Sequence, residues 1–287
     1  SQMAAILNER IGETVGFKIK GLTKVGKQTR IVVMTEGILI RMIQSDPSLS
    51  EVGCIIFDEF HERSINSDLG LALSLQLAEI LRSDLRIIVM SATLDVGPVS
   101  DLLETKAPII SEGRAYQVNC EYLSRPSSKN VRLWENFAKL IADAFEMTEG
   151  GILAFLPGEA EIRATEKLLK EKLPNTAIIM PLYGSLPFEQ QNKILEPLKN
   201  ETLRKVVLST SIAETSLTIS GIKVVVDSGY NRRSRYDPAS GMSRLITQKI
   251  SKAEANQRMG RAGRVASGWC YRNWAVSEAV SYTHLRA

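Results

Sequence analysis

Short apolar runs alternate along the chain with longer stretches in which apolar residues return every three or four positions. In the first third, "RIVVMT" (30–35) predicts a strand, "EGILIRMIQ" (36–44) a helix and "VGCIIF" (52–57) a buried strand. "DLGLALSLQLAEILR" (68–82) predicts a helix with a strongly apolar face, and "LRIIVMSAT" (85–93) returns to a strand. Such alternation implies a parallel sheet covered by helices. Ligands of these sheets gather at the carboxyl ends of the strands, where "TEG", "DE" and "SAT" all fall.

The pattern changes between 111 and 130, where "SEGRAYQVNCEYLSRPSSKN" turns polar from Ser124 and contains Pro126, as an interdomain crossing would. A second α/β pattern follows. Helices are expected at 133–148 and 159–173, a strand and turn at 150–158, and strands at 177–183, 205–210 and 223–229. Alternating residues around a Pro and Gly turn at 234–250 predict a hairpin. The expected division is a first domain at 1–115, a linker region at 116–130, a second domain at 131–275 and a tail at 276–287.

At 287 residues the chain has room for two domains that each bury a core. Apolar residues form 44% and charged residues 24%, the balance of globular material rather than disordered or fibrous chains. No apolar run approaches a membrane span, and "SQMAAILNER" lacks the basic start and apolar core of a signal peptide, which favours the cytoplasm. Cys54, Cys120 and Cys270 have no metal-ligand spacing and sit among apolar or aromatic neighbours, so they are expected as buried thiols. A net charge of +4 leans only weakly towards anionic partners, but arginine concentrates in "NRRSR" (231–235) and "QRMGRAGR" (257–264).

Chemistry sharpens in "IIFDEFHER". A strand that ends in Asp58 and Glu59 puts two carboxylates at the ligand edge of a sheet. The Asp can hold Mg²⁺ directly or through water, and the Glu can take a proton from a water attacking a terminal phosphate. His61 lies where its imidazole can report on that phosphate site, and Ser91 and Thr93 offer two hydroxyls at the end of the next strand. Gln257, Arg261 and Arg264 are spaced by four and three, so they share one face if the segment is helical. Guanidinium forks suit phosphate oxygens, and glycines at 260 and 263 are costly in a helix unless a close approach requires them.

Together these residues resemble the superfamily 2 helicases of the DEAH/RHA group. "DEFH" (58–61) stands for the usual DEAH, and Phe60, "HERS" and "GETVGFKIKG" look most like the bacterial HrpB-type ATP-dependent helicases. "TEGIL", "SATLD", "FLPG", "YGSLP", "STSIAETSLTISGI" and "DSGYNR" extend the resemblance over residues 3–274. It implies tandem RecA-like α/β domains with mainly parallel sheets covered by helices, ATP and Mg²⁺ as cofactors, and single-stranded RNA or DNA as partner, without choosing between the two. Asp58 becomes the Mg²⁺ carboxylate and Glu59 the general base. His61, Ser91 and Thr93 become coupling residues, while Gln257, Arg261 and Arg264 become the second-domain side of the nucleotide site, with Arg264 the arginine finger. Thr35, Glu36 and Gly37, with Ser209 and Thr210, resemble segments that touch the nucleic-acid backbone. The hairpin matches the strand-separating hairpin of the group.

A phosphate-cradling loop of the form G-x-x-x-x-G-K-[S/T] should precede the acidic motif. "GLTKVGKQT" supplies Gly21, Gly26 and Lys27, but Gln28 replaces the hydroxyl and a strand pattern follows where a helix should open. The segment is therefore expected as a turn between strands, and the family's loop is expected upstream of "AAILNERIG". The final "SYTHLRA" does not resemble the family's continuation after Trp274, so His284 carries no expected role. The leading expectation is an inactive fragment of a nucleic-acid-dependent NTPase and helicase. Against it stand a non-catalytic nucleic-acid-binding or scaffolding module that keeps the helicase fold, and a small-molecule α/β enzyme that would make the motif order accidental.

Overall fold

A computed structural model describes residues 2–91, 97–104, 108–111, 116–125, 133–214 and 217–279. The chain divides into two compact units, Ser1–Ser111 and Glu112–Ala287.

The first unit runs α1 (Gln2–Ile6), β1 (Val15–Ile19), β2 (Leu22–Lys24), β3 (Ile31–Met34), α2 (Glu36–Ser45), β4 (Cys54–Phe57), α3 (Ile65–Ile80), β5 (Arg86–Val89) and α4 (Gly97–Leu102). β1 pairs antiparallel with β2 and parallel with β3, while β4 and β5 form a separate parallel pair in register from Cys54↔Arg86 to Phe57↔Val89. The helix expected at 68–82 begins three residues early, because the Ser64 side chain caps it by accepting the Ser67 N–H. One face of the β4–β5 pair meets α2 and α3 in a core of Ile43, Ile55, Phe57, Phe60, Leu71 and Leu77. The strand expected to be buried throughout is buried only at alternate positions: Ile55 and Phe57 are inside, Cys54 and Ile56 outside. Cys54 is thus an exposed thiol rather than a buried one; Cys120 is half-buried and Cys270 buried.

The second unit runs β6 (Val118–Leu123), α5 (Leu133–Met147), β7 (Gly151–Phe155), α6 (Glu159–Lys172), β8 (Ala177–Leu182), α7 (Phe188–Leu195), β9 (Arg204–Ser209), β10 (Ile222–Asp227), β11 (Tyr230–Asp237), β12 (Met242–Lys249), α8 (Lys252–Gly260), β13 (Gly268–Ala275) and α9 (Val276–Ala279). Six strands pair in parallel in the order β6-β13-β10-β7-β9-β8. Alternate residues of the central strands serve opposite faces. Ile152, Ala154, Val206, Leu208, Val224 and Val226 meet Phe137 and Ile141 of α5 and Ile162 and Leu169 of α6. Leu153, Phe155, Val207 and Val225 meet Ile194 of α7, Ala213, Ile219 and Ala262. Each such fully buried Leu, Ile, Val or Phe is worth roughly 1.5–3 kcal/mol, so this unit carries the larger core.

In the first unit β2 (Leu22–Lys24) lies inside the 21–29 segment expected as a turn, because it pairs antiparallel with β1; in the second unit two strands depart from the sequence expectation. Val118–Leu123, within the segment taken for a crossing, is the edge strand β6, and 268–275 adds β13 beside it. The fold class itself is as expected: α/β, with mainly parallel sheets covered by helices in the manner of RecA-like domains. Among the described residues no helix is long and apolar enough to cross a membrane.

Candidate functional site

In the first unit the acidic residues leave the carboxyl end of β4 in a tight turn. The Met90 N–H donates to the Phe57 carbonyl (2.8 Å) and the Phe60 N–H to the Met90 carbonyl (3.0 Å), which ties the turn to the chain entering Ser91. Asp58 Oδ1 accepts the Glu59 N–H (2.8 Å), and Glu59 takes φ +50°, as Arg63 takes φ +49°. Positive φ at two non-glycine residues within five positions costs on the order of 1–3 kcal/mol each and is kept where function or packing over-determines it.

Phe60 supplies that packing. It is buried, meets Phe57 edge-on at 6.3 Å, and lies under the Arg63 guanidinium at 5.5 Å. The residue that replaces the usual alanine of the motif is therefore the anchor of the turn. Asp58 stays exposed and Glu59 half-buried, while the largely buried His61 brings Nε2 to 3.5 Å from Glu59 Oε2. Ser91 follows at the sheet's end, exposed; Thr93 lies outside the described residues. Thr35 occupies the N-cap of α2, and it and Glu36 are exposed, with Gly37 half-buried in the first turn.

In the second unit the arginine-rich segment is not one helical face. Ser251 and Glu254 form a reciprocal capping box that starts α8, which ends at Gly260. Gln257 lies in the helix, Arg261 at its C-cap and Arg264 beyond it. The glycines also differ from expectation. A Cβ on Gly263 would stand 2.6 Å from the Tyr116 carbonyl oxygen, whereas one on Gly260 would meet nothing within 4 Å. Only Gly263 is required by a close approach.

Arg258, to which the sequence reading gave no role, organises this region. It is fully buried, donates from Nη1 to Asp227 Oδ1 (2.8 Å) and the Tyr230 carbonyl (3.2 Å) and from Nε to Glu214 Oε2 (3.2 Å), and covers the Phe155 ring at 4.8 Å. Burial pushes the Glu214 carboxyl above its ordinary value, against the attraction of Arg258. Arg261, also buried, donates to the carbonyls of Glu214 (2.7 Å) and Leu217 (2.9 Å), and the exposed Arg264 to Thr218 Oγ1 (2.8 Å). Three arginines of one motif thus hold Glu214, Leu217 and Thr218. Ser209 is fully buried and its hydroxyl donates to the Thr210 carbonyl, while Thr210 itself is half-buried at the strand's end.

The hairpin of β11 and β12 is paired from Tyr230↔Lys249 to Asp237↔Met242, longer than expected at its start. Arg235 stands directly opposite Arg244, and both are exposed. Like charges directly opposite destabilise a hairpin unless an anion answers them. Tyr236, Met242 and Leu245 are 60–68% exposed beside them. The base of the hairpin is fixed by Arg232 on Glu161 (2.8 Å) and by Asn231 and Arg233 on Glu254 (2.6 Å each).

Two family descriptions match the chain, DEAD/DEAH box helicase over residues 3–102 and helicase conserved C-terminal domain over residues 132–266. The ATP-dependent RNA helicase HrpB of Escherichia coli (strain K12) is 45% identical over 267 residues, 93% of this chain and 33% of that protein. The ATP-dependent RNA helicase HrpA homolog of Haemophilus influenzae is 40% identical over 280 residues, 97% of this chain and 21% of its own length. The crystal structure of the Escherichia coli DEAH/RHA helicase HrpB superposes with a TM-score of 0.92 at 42% identity, covering 99% of this chain and 36% of that one. The chain belongs to the DEAH/RHA helicases of superfamily 2. It spans about a third of the length of the HrpB relative it matches.

DEAH helicases imply Mg²⁺ and ATP, and the residues here fit them unequally. Among the described residues no group of three His, Cys, Asp or Glu side chains could hold a metal ion by itself. Asp58 offers one exposed carboxylate, which suits Mg²⁺, an ion that keeps its waters and binds through one or two carboxylates plus substrate phosphates. The segment 21–29 does not fit a phosphate. Its residues 22–24 are strand β2, paired with β1, and only the stretch after Lys24 is a turn, where the Gly26 N–H donates to Thr29 Oγ1 (2.9 Å) and a Cβ on Gly26 would stand 2.5 Å from the Gly12 carbonyl oxygen. That glycine serves chain packing, not a ligand.

What the sequence missed in this helicase segment is the buried part. Asp227 closes the strand "KVVVD", a readable signal for one of Arg258's partners, whereas Glu214, inside the quoted "SIAET", follows a 3-10 turn five residues after the end of β9 and gave no such signal.

Proposed function

We propose that this chain binds the backbone of single-stranded RNA or DNA as a segment of an ATP-dependent helicase, and that by itself it binds without hydrolysing nucleotide. The hairpin carries the reading. Two exposed arginines held opposite each other favour an anion along their strand pair, and Tyr236 beside them offers a ring for base stacking. The exposed first turn of α2, with Thr35, Glu36 and Gly37, adds backbone N–H groups that suit a phosphate, and Thr210 adds a hydroxyl at the end of β9. Such contacts position a strand without reading its sequence.

In the parent helicase Asp58 would hold Mg²⁺, which when bound with nucleotide supplies positive charge to the phosphates. Glu59, set by its left-handed turn, would accept the proton of the attacking water. His61, in contact with Glu59, would transmit the state of that carboxylate, with Ser91 and Thr93 as further coupling groups. Gln257, Arg261 and Arg264 would face developing phosphate charge, Arg264 as the finger because its guanidinium is the exposed one. The segment 21–29, a strand and the turn after it, gives no phosphate cradle, so the chain alone acts as a binding module.

Fluorescence anisotropy with labelled single-stranded RNA and DNA tests the binding reading. Affinity should fall with salt, with a slope of roughly 0.7 per phosphate contact. Replacing Arg235 and Arg244 together by Ala should flatten that slope and weaken binding to both strands. Binding that is absent, or unchanged in the double variant, would overturn the reading.

A further inference from the structure

Outside the helicase motifs, two of the three cysteines face each other. Cys120 of β6 and Cys270 of β13 are direct register partners in a parallel pair. Neighbouring strands lie about 4.8 Å apart, inside the Cα separation of about 4.4–6.8 Å that a disulfide spans. Both side chains belong to the cluster that also takes Val118, Met259 and Ala262, under the helix that bears Gln257 and Arg258.

The surroundings favour a thiolate at one member. The Cys270 thiol hydrogen-bonds to Cys120 and, with the Arg272 guanidinium nearby, brings the Cys120 thiol down to about 7 against its partial burial. The same hydrogen bond and deep burial push Cys270 well above its ordinary value. One sulfur is thus the attacking thiolate and the other a held proton donor. Arg272 is itself 94% buried, since only 6% of it is exposed. Its Nη1 is on the Tyr122 hydroxyl and its Nη2 on Asn256 Oδ1 (3.1 Å), yet among the described residues its Nε–H has no hydrogen-bond partner. A buried donor in that state, two residues from Cys270 on the same face of β13, suits an anionic sulfur or sulfenate beside it.

We propose that Cys120 and Cys270 form a reversible dithiol–disulfide site for peroxide. The Cys120 thiolate attacks one peroxide oxygen, the O–O bond breaks, and Cys120 becomes a sulfenic acid as hydroxide leaves and takes up a proton to form water. The Cys270 sulfur then attacks the Cys120 sulfur and displaces hydroxide, which leaves as water with the Cys270 proton. In sum, two thiols and one hydrogen peroxide give one disulfide and two waters, with the sulfurs oxidised and the peroxide oxygens reduced. A small dithiol reverses it by exchange. Cys54, exposed on β4, has no such partner sulfur among the described residues.

The test treats the reduced chain with one equivalent of hydrogen peroxide, then counts thiols after denaturation and maps peptides without reduction. The expected result is the loss of two thiols, the mass of two hydrogen atoms, and one linked peptide pair containing Cys120 and Cys270, all restored by dithiothreitol. A Cys54→Ser variant should behave the same, and the oxidation rate should rise through a midpoint near pH 7. In Cys270→Ser, a dimedone adduct should collect on Cys120. Because the linked pair is read in the native chain, poor folding of that variant leaves the test intact. Oxidation confined to Cys54, or Cys120 advancing to sulfinate without a linked pair, would overturn the proposal.

Discussion

The sheet of the second unit is covered on both faces, so that Val206, Val207, Val224 and Val225 are all fully buried. The β4–β5 pair of the first unit is covered on one face only, and Ile56, Ile88 and Met90 remain 43–56% exposed on the other. The two candidate sites inherit this difference. The arginine motif rests on a closed core through Arg258, Glu214 and Asp227, whereas the acidic turn rests on two backbone bonds and the ring of Phe60. Carrying the same family motifs does not by itself preorganise them; the layer behind each motif does.

All three tryptophans, Trp134, Trp269 and Trp274, lie in the second unit, so their fluorescence follows that unit alone while circular dichroism follows both. The sharpest way to break the contrast is Arg258→Ala, which leaves Glu214 and Asp227 buried without their cation. It should cost about 3–5 kcal/mol and bring the tryptophan transition in urea to much lower concentration. Phe60→Ala should cost roughly 3 kcal/mol in the first unit, lowering the early dichroism loss with the tryptophan midpoint unmoved.

Gly263→Ala should cost about 1–3 kcal/mol, since the Tyr116 carbonyl must move. Gly260→Ala should be neutral or stabilise by up to ~1 kcal/mol, having open space and better helix propensity. A reversed order would mean that the close approach at Gly263 is not what the motif requires.

The smallest effect is in pH. Burial opposes ionisation of Glu254, but its bonds to the Ser251 backbone and hydroxyl, with Arg233, hold its carboxyl below the ordinary 4.5. A depressed acid stabilises the fold fully above its unfolded value and loses that contribution as pH falls through the folded one. The second unit should therefore weaken below about pH 4.5, and Glu254→Gln should flatten that dependence. Glu214, raised by burial, acts in the opposite sense, stabilising below its unfolded value and losing that as pH rises, so it moderates the slope.

Much of the fold was legible because periodicity reports burial. α5 was expected at 133–148 and runs Leu133–Met147; α6 was expected at 159–173 and runs Glu159–Lys172. β6 was hidden because polar residues and Pro126 follow it closely, and β13 because it buries Arg272 and Asn273 among its aromatics. The acidic motif could be placed at a strand's end from its spacing. The single-face burial of β4 could not, because "CIIF" is equally apolar at every position and only the tertiary neighbours decide which side is covered. Arg258 was illegible for the converse reason: in a basic string, the arginine that is fully buried is chosen by carboxylates 31 and 44 residues away.

Steady-state hydrolysis of Mg-ATP by this chain with saturating single-stranded RNA, beside Glu59→Gln, tests most directly whether uneven support yields binding without catalysis. Equal background rates in the two proteins, with strand binding intact, are the predicted result. Hydrolysis that the substitution abolishes would contradict it, and would make the acidic turn and the 21–29 segment competent as they stand.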